Sequence, residues 1–329
     1  MPLTIAMYDK SYEHIGRRLD ALGLDIVVHT FGKDGKFLID GVRKAPRDVA
    51  VDYMWLSSHL NTDGFRDGAF ELVLDCKSVG VLQTFNAGLD YPFYKKVAQK
   101  GTRICNSSAQ GVAIAEYVFG QVLSVLQPIE LQRSMQAKKQ WQITPFREIW
   151  QTNWLIIGFG PIGQEVAKRA KAFDATTAVI RRTPQTSPLA DTVGTMADLN
   201  KFLPAADVIV MACALNNETR GFAGKAFLDA VKKGAILVNI ARGPLIDDAA
   251  MIAALDSGQL ATAVLDVFHT EPLPAGDPLW THPKVRLTSH TSFAGSGGRA
   301  RWDKLFLDNI VRFAQGEVLA NEVNPRDIV

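Results

Sequence analysis

Three glycines, Gly158, Gly160 and Gly163, are spaced as G-x-G-x-x-G, a pattern that can bind the pyrophosphate of a dinucleotide. An apolar run at 154–157 precedes them and apolar residues at helical spacing follow over 162–173, so the motif joins a predicted strand to a predicted helix. The first glycine makes the tight turn, the second lets a phosphate approach the backbone, and the third lets helix and strand pack closely. The predicted cofactor-binding residues of this loop are Gly158, Gly160, Pro161, Ile162 and Gly163.

The next predicted strand, 177–180, ends in two arginines and a threonine instead of a carboxylate. A carboxylate here binds the adenosine ribose of NAD and repels a 2′-phosphate, whereas guanidinium groups bind phosphate through paired hydrogen bonds. We therefore expect Arg181, Arg182 and Thr183 to bind the 2′-phosphate of NADP(H), the preferred cofactor, while NAD(H) remains open. The alternative is that both arginines are ordinary surface charges at a strand end.

Three later side chains, those of Arg242, Glu271 and His290, each follow an apolar, strand-like run. Ligands of α/β proteins bind beyond the carboxyl ends of parallel strands, where these side chains would lie. Reduction of a 2-keto acid needs a cation for the carboxylate, a proton donor beside the carbonyl oxygen and a hydride donor. Arg242 and His290 supply the first two, and a nicotinamide supplies the third. The alternatives are a turn arginine, a surface carboxylate and a structural histidine.

With the glycine motif, the segments 235–247, 265–274 and 287–291 resemble the D-isomer-specific 2-hydroxyacid dehydrogenases, a family that includes glyoxylate and hydroxypyruvate reductases. The resemblance implies that Arg242 binds the substrate carboxylate and carbonyl, and that Glu271 and His290 form an acid/base pair. Asp266, in the second segment, is assigned to the cofactor.

A further set of residues is assigned to the substrate by resemblance. Asn86, Ala87 and Gly88 are similar to the family's substrate loop, whose backbone amides hold the carboxylate, and Gly88 would permit close approach. A glycine-containing turn after a strand is also common, so a purely structural loop is the alternative. Trp55 follows another predicted strand, at the place of the family's other substrate loop, and is equally compatible with a core position.

Short apolar runs alternate with stretches of helical spacing along the whole chain, which predicts βαβ units and an α/β fold. The predicted strands are 3–7, 25–29, 51–56, 80–84, 154–157, 177–180, 208–211, 235–240, 262–265 and 285–288. The resemblance implies two Rossmann-like domains with parallel sheets. A dinucleotide-binding domain, 106–293, would be inserted in a discontinuous substrate (catalytic) domain, 1–105 and 294–329. The helix at 110–127 is similar to the family's interdomain helix, which implies a homodimer.

The composition is that of a soluble globular chain, with 47% hydrophobic and 21% charged residues among 329. A net charge of +2 leaves no basic field for nucleic acid or for a membrane surface. The longest stretch without a charge, 149–164, is shorter than the roughly 18 apolar residues of a membrane span. Because the N-terminus lacks the apolar region of a secretory signal, we expect a cytoplasmic location. Three cysteines without a C-x-x-C pair favour buried thiols over disulfides or a metal site.

The sequence therefore predicts an NADPH-dependent reductase that converts a small 2-keto acid, such as glyoxylate or hydroxypyruvate, to the D-2-hydroxy acid. The alternative is a non-enzymatic, nucleotide-sensing scaffold of the same fold, because such scaffolds can retain all three catalytic residues.

Overall fold

The computed structural model describes residues 2–328 and divides the chain into two compact units. Unit 1 comprises Met1–Gln110 with Ser296–Val329, and unit 2 comprises Gly111–Gly295. The sequence placed the domain boundaries after residues 105 and 293, whereas the structure divides the chain after residues 110 and 295. Unit 1 is therefore discontinuous in sequence, and unit 2 is one continuous segment.

The strands, in chain order, are β1 (Leu3–Tyr8), β2 (Ile26–Phe31), β3 (Phe37–Ile39), β4 (Val42–Lys44), β5 (Ala50–Leu56), β6 (Ser78–Thr84), β7 (Arg103–Cys105), β8 (Asn153–Ile157), β9 (Thr176–Ile180), β10 (Thr192–Gly194), β11 (Val208–Met211), β12 (Ala235–Asn239), β13 (Leu260–Leu265) and β14 (Val285–Leu287). The helices are α1 (Asp9–Asp20), α2 (His59–Thr62), α3 (Arg66–Asp75), α4 (Pro92–Gln99), α5 (Gly111–Leu126), α6 (Ile129–Ala137), α7 (Pro161–Ala172), α8 (Leu199–Phe202), α9 (Lys225–Ala230), α10 (Asp248–Asp256) and α11 (Gly298–Ala314).

Unit 1 is built on a seven-stranded sheet of order β4-β3-β2-β1-β5-β6-β7. The five strands from β2 to β7 along this order are parallel, whereas β3 and β4 add an antiparallel hairpin at one edge. The fold class predicted from the sequence is confirmed, and the hairpin is an addition to the parallel sheet expected for this unit.

Both faces of the unit 1 sheet are covered by helices, as expected for parallel strands. Residues of α3 and α4 pack on one face, and residues of α1 and α11 pack on the other. Trp55 is 2% exposed and stacks on Phe306 of α11, with ring centroids 4.2 Å apart. Its core position, one of the two alternatives from the sequence, is the one that the structure shows.

Unit 2 contains a second seven-stranded sheet, in which every pairing is parallel and the order is β10-β9-β8-β11-β12-β13-β14. The first strand of the unit, β8, lies in the middle, and the chain builds the sheet outward on one side and then on the other. This is the doubly wound arrangement, in which ligands bind at the switch point beside the first strand.

The central strands of unit 2 are apolar on both faces because helices cover both of them. The strands β11 and β12 are buried along their whole length. Residues of α5 and α7 pack on one face, and residues of α9 and α10 pack on the other. These layers leave the carboxyl edge of the sheet to the loops that carry the candidate site.

Each strand predicted from the sequence overlaps a strand of the structure. The strands that were not predicted are β3, β4, β7 and β10, and each has only three residues. A run of this length seldom shows the apolar pattern of a buried strand, although β14, which also has three residues, was predicted.

Within residues 2–328, no single helix is long and apolar enough to cross a membrane; only the pair Gly111–Leu126 and Ile129–Ala137, bent by 61°, reaches that length and composition together. The same residues contain no group of three or more His, Cys, Asp or Glu side chains arranged to hold a metal ion.

Candidate active site

The glycine loop joins β8 to α7 at the centre of the unit 2 sheet. Gly158 has a φ of +103°, and a Cβ there would lie 2.5 Å from the backbone of Ala212 and of Cys213. A Cβ at Gly163 would lie 2.1 Å from the carbonyl oxygen of Gly158. Both positions therefore require glycine, because backbone atoms of the neighbouring strand and turn occupy the space of a side chain.

Gly160 differs from these two glycines, because no other atom lies within 4 Å of a Cβ built there. It is followed by Pro161, the first residue of α7, and it provides no side-chain cap for that helix. The amides of Ile162 and Gly163 belong to the first turn of the helix, whose dipole favours negative charge. This open, uncapped helix N-terminus fits the pyrophosphate of a dinucleotide cofactor.

A cleft lies beside the glycine loop, and Gly158, Arg181 and Arg182 contribute to its lining. The guanidinium group of Arg181 lies 5.8 Å from the ring centroid of Phe159 and donates to the carbonyl oxygen of Gln185 at 3.3 Å. The structure thus brings both arginines to the cleft beside the loop that would hold the pyrophosphate. Two cations at this place fit a phosphate on the adenosine ribose.

Thr183 and Glu218 differ from what the sequence predicts for the lining of this cleft. Thr183 is exposed and is not among the residues that line the cleft, so its predicted contact with the cofactor stays a prediction. Glu218, which the sequence analysis did not assign to the cofactor, lines the same cleft. Its backbone amide donates to the side chain of Asn216 at 2.9 Å, within the loop that follows β11.

Arg242 lies in the turn that follows β12. The side chain of Asn239, the last residue of that strand, donates to the carbonyl oxygen of Arg242 at 2.9 Å and accepts from the amide of Ala241 at 3.0 Å. The Arg242 guanidinium also donates to the carbonyl oxygen of Ala241 at 2.7 Å. Asn239 is 1% exposed, so its amide group fixes the turn that carries the arginine.

Gly243 packs the arginine turn against the next functional loop. A Cβ at this glycine would lie 2.0 Å from the carbonyl carbon of Phe268 and 2.4 Å from the amide nitrogen of His269. The backbone of Phe268 in turn holds Glu271, since its amide donates to Glu271 Oε1 at 2.9 Å. The arginine turn and the glutamate loop are therefore neighbours in unit 2.

Glu271 and His290 form a close pair of titratable groups at this edge of the sheet. Glu271 Oε2 lies 2.7 Å from His290 Nδ1, and the two side chains are 36% and 40% exposed. An ionised carboxylate only accepts hydrogen bonds, so Nδ1 carries a proton in this contact. The other ring nitrogen, Nε2, is the atom that can exchange a proton with a substrate, as the predicted acid/base pair requires.

The backbone of His290 adopts a left-handed conformation, with a φ of +47°. The backbone that follows His290 is held by Asp266, whose carboxylate accepts hydrogen bonds from the amide of Thr291 at 2.9 Å and from that of Ser292 at 3.0 Å. Asp266 itself is 0% exposed. In the structure Asp266 thus supports the histidine loop, while its predicted contact with the cofactor stays a prediction.

The predicted substrate loop belongs to unit 1, where it follows β6. Asn86 donates through its side chain to the hydroxyl of Tyr94 at 2.8 Å, and the carbonyl oxygen of Ala87 accepts from Asn106 at 2.7 Å. Gly88 is partly buried in the same loop. These contacts order the loop, and its binding of substrate stays a prediction.

Sequence reasoning did not identify Asn239 or Gly243 as functional residues. Gly243 had a usable signal, because it directly follows Arg242 in a turn after a strand. Asn239 had none, because its role depends on hydrogen bonds with backbone groups that the turn brings together.

Sequence relatives, a solved structure and a family model all relate this chain to the 2-hydroxyacid dehydrogenases. The chain is 30% identical over 264 residues to D-3-phosphoglycerate dehydrogenase of Methanocaldococcus jannaschii, an alignment that covers 78% of this chain and 50% of that protein. It is 29% identical over 265 residues to hydroxypyruvate reductase of Blautia hydrogenotrophica, covering 78% of this chain and 80% of that one. The chain thus spans about half the length of the first relative and most of the second.

A solved structure agrees over the full length. The D-isomer specific 2-hydroxyacid dehydrogenase of Xanthobacter autotrophicus Py2, in complex with NADPH and MES, superposes with a TM-score of 0.76, 26% identity and complete coverage of both chains. Residues 119–292 match the family model described as D-isomer specific 2-hydroxyacid dehydrogenase, NAD binding domain. The chain therefore belongs to the D-isomer-specific 2-hydroxyacid dehydrogenase family.

Proposed function

We propose that the protein is an NADPH-dependent reductase of a small 2-keto acid, such as glyoxylate or hydroxypyruvate, and that its product is the D-2-hydroxy acid. The observation that carries the proposal is the 2.7 Å contact between Glu271 and His290, in the loops next to the Arg242 turn. Hydroxypyruvate reductase is among the relatives, which supports this substrate class. The alternative of a non-enzymatic scaffold receives no support from relatives that are named as dehydrogenases and reductases.

Arg242 binds the substrate in this proposal. Its planar guanidinium presents parallel donors that match a carboxylate, and the same group polarises the adjacent carbonyl. The turn contacts of Asn239 and Ala241 hold the arginine backbone, so that less conformational freedom is lost on binding. A 2-keto acid, which carries carboxylate and carbonyl on neighbouring carbons, suits this arrangement.

His290 moves the proton. In reduction the imidazolium donates its Nε2 proton to the carbonyl oxygen, while the carbonyl carbon gains a hydride; a bound nicotinamide cofactor supplies that hydride. Glu271 accepts a hydrogen bond from Nδ1–H of His290, and its negative charge stabilises the positive ring. In oxidation the neutral ring, with its hydrogen still on Nδ1, accepts the hydroxyl proton at Nε2.

The proposed cofactor preference depends on the residues of the adenosine cleft. Arg181 and Arg182 line it, and the strand β9 ends without the carboxylate that would bind the ribose of NAD. The carboxylate of Glu218, which lines the same cleft, disfavours binding of a 2′-phosphate, whereas the two arginines favour it. The relative from Xanthobacter autotrophicus Py2 was solved with NADPH, which supports the same preference.

Steady-state kinetics with a panel of 2-keto acids, each with NADPH and with NADH, tests the proposed function. We expect glyoxylate or hydroxypyruvate to be reduced, with kcat/KM higher for NADPH than for NADH. Arg181→Asp should lower kcat/KM for NADPH by at least about 10-fold, because it removes a phosphate partner and introduces a repelling charge. Arg47→Asp, an equal change of charge at an exposed position of unit 1, is the matched control.

Two outcomes would contradict the proposal at different points. Equal use of NADH and NADPH by the unaltered protein would make the arginines ordinary surface charges and would remove only the cofactor preference. Failure to reduce every 2-keto acid of the panel with either cofactor, while NADPH binds, would remove the proposed reaction.

A further inference from the structure

A half-buried hydrogen-bond chain runs from helix α5 to the loop that carries His290. The hydroxyl of Tyr117, in α5, lies 2.7 Å from Thr288 Oγ1, and Thr288 Oγ1 lies 2.6 Å from Asp266 Oδ1. Thr288 follows β14 and precedes His290 by two residues. The chain therefore ends on the carboxylate that holds the histidine loop.

The direction of each hydrogen bond in this chain is fixed by chemistry. Asp266, as a carboxylate, only accepts, so the single hydroxyl hydrogen of Thr288 is donated to it. Thr288 can then only accept from Tyr117, whose hydroxyl must be the donor. Burial raises the pKa of Tyr117 to about 12, which keeps the phenol protonated at any pH near neutrality.

Asp266 holds the polypeptide backbone on both sides of His290. Its carboxylate accepts from Thr288 on one side and from the amides of Thr291 and Ser292 on the other. Its backbone carbonyl accepts from the amide of His290 at 2.8 Å. A φ of +47° is an unfavourable backbone conformation for a residue other than glycine, and it persists only where the surroundings impose it. These contacts are the surroundings that impose it.

We infer that Tyr117 and Thr288 are positioning residues for the acid/base centre: their hydroxyls orient the Asp266 carboxylate, which holds His290 in the conformation that meets Glu271. The inference rests on the proposed function for its link to catalysis. Hydrogen bonds that share a donor and acceptor in series strengthen one another, so the loss of either hydroxyl weakens the whole chain. The imidazole is then held less firmly at its 2.7 Å contact with Glu271.

Tyr117→Phe and Thr288→Val each remove one hydroxyl with little change of shape. We expect each to lower kcat for reduction by about 10-fold, with KM for the keto acid and the Kd of NADPH changed by less than about 2-fold. The double variant should lose no more than the worse single variant, because both hydroxyls act through one chain. Thr288→Ser, which keeps a hydroxyl, should restore most of the activity.

The matched control is Tyr53→Phe in unit 1. Tyr53 is fully buried, whereas Tyr117 is half-buried. Like Tyr117 it donates its hydroxyl to a side chain, that of Gln83, but it lies in the core of the other unit. We expect the Tyr53→Phe variant to have a lower Tm than the unaltered protein, as we expect for Tyr117→Phe, but an unchanged kcat. If Tyr117→Phe and Thr288→Val also keep kcat, the chain is merely structural and the inference is overturned.

A readout that does not require turnover separates this inference from the proposed reaction. In proton NMR, a hydrogen at Nδ1 of His290 bound to a carboxylate should resonate at low field, in the unaltered protein and in Thr288→Ser. It should broaden or disappear in Tyr117→Phe and Thr288→Val. If the protein reduces no keto acid but the signal responds in this way, the proposed reaction fails and the positioning role stands. If the signal is the same in all variants, the positioning role fails whatever the activity.

Discussion

In the proposed reaction, the pairing of Glu271 with His290 concentrates the proton chemistry in two side chains. Glu271 is itself oriented, because one carboxylate oxygen accepts from the amide of Phe268 while the other meets the imidazole. A carboxylate held in this way cannot easily turn from the ring. In the proposed reaction, the carboxylate that would stabilise the imidazolium is therefore already in place before the substrate binds, which favours efficient proton transfer.

Glu271→Gln keeps the size of this side chain and removes its charge. Reduction needs the charged imidazole, so kcat/KM for reduction should fall at least about 10-fold near neutral pH and recover toward lower pH. The oxidation of the hydroxy acid needs the neutral ring and should extend to lower pH than in the unaltered protein. The measurement is kcat/KM in both directions from about pH 5 to about pH 9.

Glu317→Gln is the control for this prediction, since Glu317 also faces a cation, Arg312 at 3.5 Å, but on the surface of unit 1. Its pH profiles should match those of the unaltered protein. Identical pH profiles for Glu271→Gln and the unaltered protein would show that the two residues are not coupled in catalysis.

At the level of single residues, the sequence indicated candidate catalytic groups more readily than the groups that hold those candidates in place. Arg242, Glu271 and His290 were identifiable because each residue type has a specific chemical use and each follows a predicted strand. Asn239 and Thr288 were not, because their side chains act on a backbone carbonyl and on a buried carboxylate that only the folded loops bring within reach. Asparagines and threonines are too common in turns for their position alone to indicate such a role.

The next scale is that of the loops and strands, where close backbone packing sets the geometry of the site. Gly243 allows the turn after β12 to touch the backbone at Phe268, within the loop after β13. A methyl group there would clash with backbone atoms of Phe268 and His269, which cannot move aside as the end of a flexible side chain can. Either the arginine turn or the glutamate loop must then move.

Gly243→Ala should therefore impair catalysis and leave the cofactor loop intact. We expect kcat/KM for reduction to fall at least about 10-fold and the free energy of unfolding to drop by about 1–3 kcal/mol. The Kd of NADPH should stay within about 2-fold. Gly120→Ala, on the exposed side of α5 with no atom within 4 Å of its Cβ position, is the control and should be neutral or slightly stabilising. Unchanged turnover in Gly243→Ala would mean that the two loops move independently.

Long strands were more predictable than short ones: of the five three-residue strands within residues 2–328, β14 alone was predicted. The long apolar strands of both sheets were identified because burial on both faces leaves a continuous apolar run. The short strands β3, β4, β7 and β10 lie at or next to a sheet edge and are held by pairing with their neighbours, and pairing is not visible in three residues of sequence. The two units were separable because the resemblance implied a discontinuous domain, although the predicted boundaries lie a few residues from those of the structure.

At the scale of the whole molecule, each unit has its own sheet and its own core on both faces of that sheet. Each can therefore respond to a ligand with its own change in stability. The residues proposed to hold NADPH, from Gly158 to Arg182, all belong to unit 2. Binding to the folded form alone stabilises it, by about 2.7 kcal/mol at a ligand concentration 100 times Kd.

Hydrogen–deuterium exchange measured by mass spectrometry should locate this effect. With saturating NADPH, the largest loss of exchange should fall in the peptides that contain the first turn of α7 and the end of β9 in unit 2. The same concentration of NADH should protect the α7 peptide but the β9 peptide less, because only NADPH carries the phosphate that Arg181 and Arg182 would bind. Arg181→Asp should abolish the difference between the two cofactors at β9 and leave protection of α7 in place. If NADPH protects neither peptide, the glycine loop does not have the role proposed for it. If NADPH protects both peptides no better than NADH does, the arginine pair does not have the role proposed for it.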